Sequence, residues 1–134
     1  MKIKNLILLS FVAILFTACG TSSDPVKIAE EFAKAFVNAD YDKCNKMMED
    51  EEFTPSDEMS SMEKAVIKAM QEEAKKMKYI FTVDKEYTDM SEEDADIRFN
   101  VTSAKDSDFK KTIRVSLEKD DYNKWRVTHY RSFK

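Results

Sequence analysis

The chain is short of several residues on which small exported domains and metal sites depend. Among its 134 residues there are one glycine, two cysteines and one histidine. Two cysteines allow at most one intrachain disulfide, and a zinc site of the usual Cys and His composition lacks its ligands. The glycine, Gly20, precedes the predicted domain, so left-handed turn positions have to use other residues, among which Asn and Asp are best suited.

Sequence motifs of catalysis and of cofactor binding are also missing. The chain has no GxSxG, phosphate loop, CxxC or HExxH. Its formal net charge is −4, which argues against nucleic acid as a partner because such partners require clustered Lys and Arg. The acidic run at residues 49–52 lacks the spaced oxygen ligands and the glycine of a calcium loop. We therefore predict no metal and no cofactor.

The first eighteen residues read as an export signal. Lys2 and Lys4 precede an apolar stretch at residues 6–16. About eleven helical residues cover roughly 16 Å, about half of a bilayer core, which suits a signal peptide better than a membrane span. The stretch ends at Ala18-Cys19 and resembles the lipobox of bacterial lipoproteins, in which the cysteine thiol forms a thioether to diacylglycerol. The alternative is an ordinary secretory signal with a chance cysteine.

This interpretation divides the chain into a signal peptide (1–18), a lipidated tether (19–23) and a domain (24–134). Cys19 would carry diacylglycerol and an amide-linked acyl chain such as palmitate, and these chains would attach the protein to the membrane. Because Gly20 is not the Asp that commonly retains lipoproteins in the inner membrane, the resemblance implies an outer-membrane location facing the periplasm. Cys44 is then the remaining thiol. It is either a buried small apolar residue or a reactive thiol open to an intermolecular disulfide.

Three helices are predicted before the first strand. Asp24-Pro25 has the form of a helix N-cap followed by proline at the first position, and Asp40 can cap a second helix. Thr54-Pro55 predicts the start of a third. Its apolar stripe is rich in methionine: Met59, Met62, Val66, Ala69, Met70, Ala74 and Met77. We expect this stripe to face the core; an adaptable binding surface is the alternative.

From Tyr79 onward the apolar residues alternate with polar ones, which predicts strands. About four strands joined by short turns indicate an antiparallel sheet with one buried face, and the preceding helices would cover it, making an α+β domain. In the last strand, alternation places Trp125, Val127 and His129 on one face and Tyr130 on the other.

The order of elements resembles the nuclear-transport-factor-2-like (NTF2-like), or cystatin-like, cone fold. The residues that carry the resemblance are Asp24-Pro25-Val26 with Phe32 and Phe36, Asn38-Ala39-Asp40-Tyr41, and Lys124-Trp125-Arg126-Val127. The match is closer to small bacterial lipoproteins of that superfamily. It implies three helices on a curved meander sheet, with a cavity at the open end of the cone. Members include isomerases, dehydratases, ligand binders and interaction modules, so the fold alone does not specify a function.

We expect a non-enzymatic, membrane-anchored domain that binds a small apolar ligand or a protein through the cone opening. The candidate pocket-lining residues are Tyr79, Phe81, Phe99, Trp125 and His129. One alternative is an isomerase- or dehydratase-like enzyme with His129 as base, although no carboxylate can be placed beside it from sequence. Another is a structural or inhibitor-like module that forms a homodimer through the exposed face of its sheet.

Overall fold

The computed structural model describes residues 24–133. The predicted signal peptide, the tether and the lipidation site Cys19 lie outside this range. The helices are α1 (Pro25–Val37), α2 (Tyr41–Met47) and α3 (Ser61–Met77). The strands that follow are β1 (Tyr79–Val83), β2 (Asp89–Met90), β3 (Asp94–Ser103), β4 (Lys110–Lys119) and β5 (Trp125–Phe133).

Local capping chemistry sets where each helix begins. The Asp24 carboxylate accepts a hydrogen bond from the Val26 backbone N–H at 2.9 Å, and Pro25 is the first helical residue, as predicted. Asp40 caps α2 through the Lys43 N–H. The predicted start of the third helix at Thr54-Pro55 is wrong: α3 begins at Ser61. A capping box joins Ser60 and Glu63: the Ser60 hydroxyl accepts from the Glu63 N–H, and the Glu63 carboxylate accepts from the Ser60 N–H.

The sheet is antiparallel, with strand order β1-β3-β4-β5 and with the short β2 paired beside β1 on β3. Apolar side chains alternate with polar ones along the strands, so the apolar ones share one buried face of the sheet. Helix α1 packs across this face, with Phe32 wholly buried. The sheet contributes these fully buried side chains: Ile97, Phe99, Val101, Ile113, Val115, Leu117 and Val127. The α+β prediction is therefore confirmed, and the sheet has five strands because β2 adds a two-residue strand.

A β-bulge in β5 changes which side chains face the core. Leu117 pairs with Val127, but Ser116 pairs with His129, so Thr128 is an extra residue outside the strand register, and its hydroxyl donates to the Ser116 carbonyl on β4. The alternation shifts by one residue at that point. Val127 is buried, His129 is exposed on the outer face, and Tyr130 packs against the core. The prediction that His129 shares a face with Trp125 and Val127 is therefore wrong.

Most left-handed backbone positions are occupied by residues other than Gly, Asn and Asp. Within residues 24–133, non-glycine residues with positive φ are Ala39 (57°), Lys78 (50°) and Asn123 (64°). Ala39 joins α1 to α2 and Lys78 ends α3. Left-handed geometry costs an ordinary L-residue roughly 1–2 kcal/mol, so packing around these corners outweighs local preference.

Candidate functional site

The five predicted pocket residues do not meet in the structure. Tyr79 lies on β1 opposite Ser103, whereas Trp125 lies on β5 opposite Lys119, at the other end of the sheet. The ten-residue strand β3 runs between these ends, a length of about 33 Å. Phe99 is wholly buried in the core and Phe81 packs against the core from the edge strand. These side chains contribute to one hydrophobic core at separate places.

His129 is part of a polar group on the outer face of the sheet. It lies opposite Ser116, whose hydroxyl donates to the carboxylate of Asp96. Arg114 Nη2 donates to the other oxygen of that carboxylate at 3.0 Å. Burial raises the pKa of Asp96, but the bonds from Ser116 and Arg114 and the nearby His129 together hold it below its usual value.

This polar group does not form an activated nucleophile. A serine nucleophile needs a hydrogen bond to the histidine that removes its proton. Within the described residues, the Ser116 hydroxyl bonds instead to Asp96, with no bond to the His129 imidazole. The arrangement therefore orders the outer face without preparing Ser116 for attack.

A cluster of aromatic rings lies where α1, α2 and β5 meet. We call Phe36, Tyr41, Phe53 and Tyr130 the aromatic cluster. Tyr41 stacks on Phe53 with ring centres 4.5 Å apart, and Phe53 stacks on Tyr130 at 5.7 Å. Phe36 lies 5.1 Å from Tyr130. All four rings are partly exposed, so the cluster closes this end of the core while remaining at the surface.

A buried amide positions Phe53. The Asn45 side chain donates to the Phe53 carbonyl at 2.9 Å and accepts from its N–H at 3.1 Å. At the start of the loop that carries Phe53, the Glu49 N–H donates to the Val127 carbonyl, so this loop is attached to the edge of β5. Sequence periodicity does not single out Phe53, and it places Tyr130 on the face of β5 opposite Trp125 and Val127. Phe53 lies in a loop whose sequence has neither helix nor strand periodicity. Tyr130 faces inward because of a β-bulge, and the sequence has no glycine there to indicate it.

The two phenol hydroxyls of the aromatic cluster and the neighbouring Cys44 thiol are uncharged near neutral pH. Burial, with a smaller contribution from Cys44, raises the pKa of the Tyr41 hydroxyl. Burial and then Glu52 raise the pKa of Tyr130. Burial, with a smaller contribution from Asp40, raises the pKa of the Cys44 thiol to about 12, and this thiol is wholly buried. General acid–base catalysis works best with a pKa near the working pH, which these groups lack.

A small cleft separates α3 from the α1–α2 corner. Asp40, Tyr41, Met59 and Ile67 are among its lining residues, and it encloses about 60 Å³. Gln71 closes it by donating to the Ala39 carbonyl at 3.2 Å. Ligand pockets usually measure about 300–1,000 Å³, so this cleft has room for water and not for an organic ligand.

Helix α3 exposes one edge of its apolar stripe. Met62, Val66 and Met70, which we call the methionine face, are 78%, 55% and 43% exposed. The helix contacts the domain mainly through its second half, where Ala74 is buried, Met77 is half-buried and Gln71 bonds to the α1–α2 corner. The prediction that the methionine stripe faces the core is therefore wrong for these three residues and for Ala69, which is also exposed.

Two structural features are absent from residues 24–133. No helix in this part of the chain combines the length and the apolar character needed to cross a bilayer. The same residues contain no group of three or more His, Cys, Asp and Glu side chains placed to share a metal ion.

Comparison with known proteins identifies the fold. No protein-family model matches the chain, and neither does any curated protein sequence. A crystal structure from Campylobacter jejuni, described as an NTF2-like transpeptidase, matches with a TM-score of 0.51 and 21% sequence identity. The match covers 79% of this chain and 98% of that one. The domain therefore has an NTF2-like α+β cone fold, as the sequence resemblance implied.

Proposed function

We propose that this protein is a non-enzymatic, lipid-anchored domain of the cell envelope that binds a partner protein through the methionine face. The observation that supports this proposal is the exposure of Met62, Val66 and Met70 on an ordered helix whose other edge is docked. Large contiguous apolar patches on a protein surface mark interaction sites more often than isolated apolar side chains do. Methionine suits such a surface because its flexible thioether side chain adapts to different partners.

A protein partner fits the site better than a small apolar ligand. The region between α1 and the sheet is filled by Phe32, Phe99 and their neighbours, all wholly buried. The cleft beside α3 is too small for an organic ligand. The outward position of His129 likewise favours a binding module over an isomerase or dehydratase that uses this residue.

Site-specific cross-linking in cells tests the partner proposal. A photoreactive benzoylphenylalanine at Val66 should form an adduct with another protein in the envelope. The same group at Lys68, two positions along the same exposed helix and turned away from Val66, should not. Equal adducts at both positions, or none at Val66, would contradict the proposal. An adduct of twice the chain mass would assign the face to a second copy.

A substitution at Val66 tests whether the methionine face contributes to the stability of the domain. Because Val66 is exposed, Val66→Lys should leave the free energy of unfolding within about 0.5 kcal/mol of wild type. The same substitution should abolish the adduct that benzoylphenylalanine forms when it is placed at Met70. A large loss of stability would mean instead that Val66 packs against the domain.

The anchor is tested separately. Cys19→Ser should abolish incorporation of an alkyne-labelled palmitate and release the protein from the membrane fraction. Separation of the two membranes of a wild-type host then tests the proposed outer-membrane location. Palmitate labelling that persists in Cys19→Ser would refute the lipoprotein assignment without affecting the proposal for the methionine face.

A further inference from the structure

The outer face of the sheet carries three arginines in register. Arg98 on β3 lies directly opposite Arg114 on β4, and Arg114 lies directly opposite Arg131 on β5. We call these residues the arginine row; with strands about 4.8 Å apart, it spans about 10 Å. Like charges placed directly opposite each other in a sheet are destabilising. The row therefore costs stability, in a chain whose net charge is −4.

Aromatic rings, and not carboxylates, hold two of these guanidinium groups. The Arg98 guanidinium lies 4.5 Å from the centre of the Tyr87 ring and 5.0 Å from that of Phe133. The Arg131 guanidinium lies 5.5 Å from the same Phe133 ring. Ring stacking orients a guanidinium while leaving its N–H donors available in the plane.

These donors are not satisfied within the described part of the chain. Among residues 24–133, neither Arg98 nor Arg131 forms an ion pair, and the buried Nε of Arg98 has no hydrogen-bond partner. Arg114 is paired with Asp96 at 3.0 Å. Asp89 lies opposite Asp96 on β2 and forms no ion pair with the row. Because the Arg98 Nε is shielded from solvent, a bound group would be held by the terminal Nη groups of Arg98 and Arg131, which form no ion pair among these residues.

The charge and geometry of the row suit a phosphate group. Three guanidinium groups and the one carboxylate in contact with them leave a surplus of two positive charges. A phosphate monoester carries about −1.5 to −2 at neutral pH and presents three acceptor oxygens. Those oxygens can accept from several guanidinium groups at once, whereas the Asp96 carboxylate accepts one hydrogen bond from Arg114 and one from Ser116.

We infer that the arginine row is a binding site for a phosphate group, either free or carried on a lipid headgroup. The ligand would accept hydrogen bonds from Arg98 and Arg131 and interact with Arg114 between them. This site lies on the outer face of the sheet and uses none of the residues of the methionine face, so either proposal can fail without the other.

Calorimetric titration of the full acylated protein in detergent tests the inference. Inorganic phosphate and the water-soluble dihexanoyl phosphatidate are the two probes, with dihexanoyl phosphatidylcholine as the neutral comparison. Arg131→Gln should weaken binding of the phosphate probes about 10-fold or more, since a hydrogen bond to a charged group contributes about 1.5–3 kcal/mol. Arg131→Lys keeps the charge without the fork and should restore only part of the loss. Lys64→Gln, an equal change of charge on exposed α3, should have no effect.

The two sources of phosphate are distinguished by the same titrations. Phosphatidate binding at least 10-fold tighter than inorganic phosphate, with the same dependence on Arg131, would identify a lipid headgroup. Equal affinities would identify a free phosphate or a soluble ester. Because Arg98 is partly buried, circular dichroism should confirm that Arg98→Gln is folded before its affinity is compared; Arg131 is exposed and serves as the primary variant.

Three results would overturn the inference. The first is that neither probe binds with a Kd below about 1 mM. The second is that binding is unchanged in Arg131→Gln. The third is that a glutamate-rich peptide binds in an Arg131-dependent way while both phosphate probes fail, which would make the row an acidic-peptide site.

Discussion

The bulge in β5 predicts that two adjacent residues differ sharply in their contribution to stability. Tyr130 lies 5.5 Å from Phe32, 5.1 Å from Phe36 and 5.7 Å from Phe53, measured between ring centres. Truncating a buried aromatic residue to alanine costs about 3–5 kcal/mol, and each aromatic pair adds about 0.5–1.5 kcal/mol beyond area burial. Because Tyr130 is partly exposed, we expect Tyr130→Ala to cost about 3 kcal/mol.

His129→Ala is the matched control for that truncation. His129 is exposed on the outer face, so its loss should change the free energy of unfolding by no more than about 0.5 kcal/mol. Urea denaturation followed by circular dichroism measures the free energy of unfolding of both variants. In thermal denaturation, the Tm of Tyr130→Ala should fall by about 10–15 °C.

The result that would refute the reasoning is the reverse order of the two variants. Unbroken alternation in β5 would point His129 inward and Tyr130 outward, and His129→Ala would then be the costly change. Tyr130→Phe separates the ring from its hydroxyl. It should retain nearly all of the stability if ring packing is the source.

Two further predictions concern the ionisable groups. Burial raises the pKa of Asp96, but its hydrogen bonds with Ser116 and Arg114 lower this pKa overall. The carboxylate therefore stabilises the fold at pH values above the ordinary Asp pKa of 3.8, and this stabilisation is lost as the pH falls through the lower pKa of the folded state. Asp96→Asn should therefore make the loss of stability below about pH 4 less steep than in the wild type, in acid titrations followed by circular dichroism. An unchanged slope would contradict this. Because burial raises the pKa of the Cys44 thiol to about 12, a maleimide at pH 8 should label the native acylated protein on the order of a hundredfold more slowly than the urea-unfolded protein. Equal labelling rates would instead indicate a reactive thiol.

Most of the fold could be predicted from the sequence because its signals are local. Asp24 and Asp40 cap the next helix within three residues, so a short stretch of chain contains the whole interaction. The alternation along β3 and β4 places apolar side chains on one face wherever the strand is regular. The sequence alone predicts too early a start for the third helix, because Thr54-Pro55 and Ser60 both have the form of a helix start. The capping box with Glu63 stabilises the later one.

The candidate surfaces could not be predicted in the same way, because they depend on contacts distant in sequence. Asn45 brings Phe53 to the aromatic cluster, and the bulge at Thr128 turns Tyr130 toward it. Periodicity shows that α3 has an apolar stripe. It does not show which edge of the stripe meets the domain, since that depends on how the helix docks at the α1–α2 corner.

The sequence by itself determined the α+β class, the two N-terminal caps and the faces of the regular strands, because short-range hydrogen bonds and two-residue alternation suffice for each. Only the tertiary structure decided that His129 faces outward and that Met62, Val66 and Met70 remain uncovered. It also aligned Arg98, Arg114 and Arg131, which lie on three separate strands and become neighbours only through strand register. Register and docking depend on the packing of the whole domain, and no single segment of the chain encodes them.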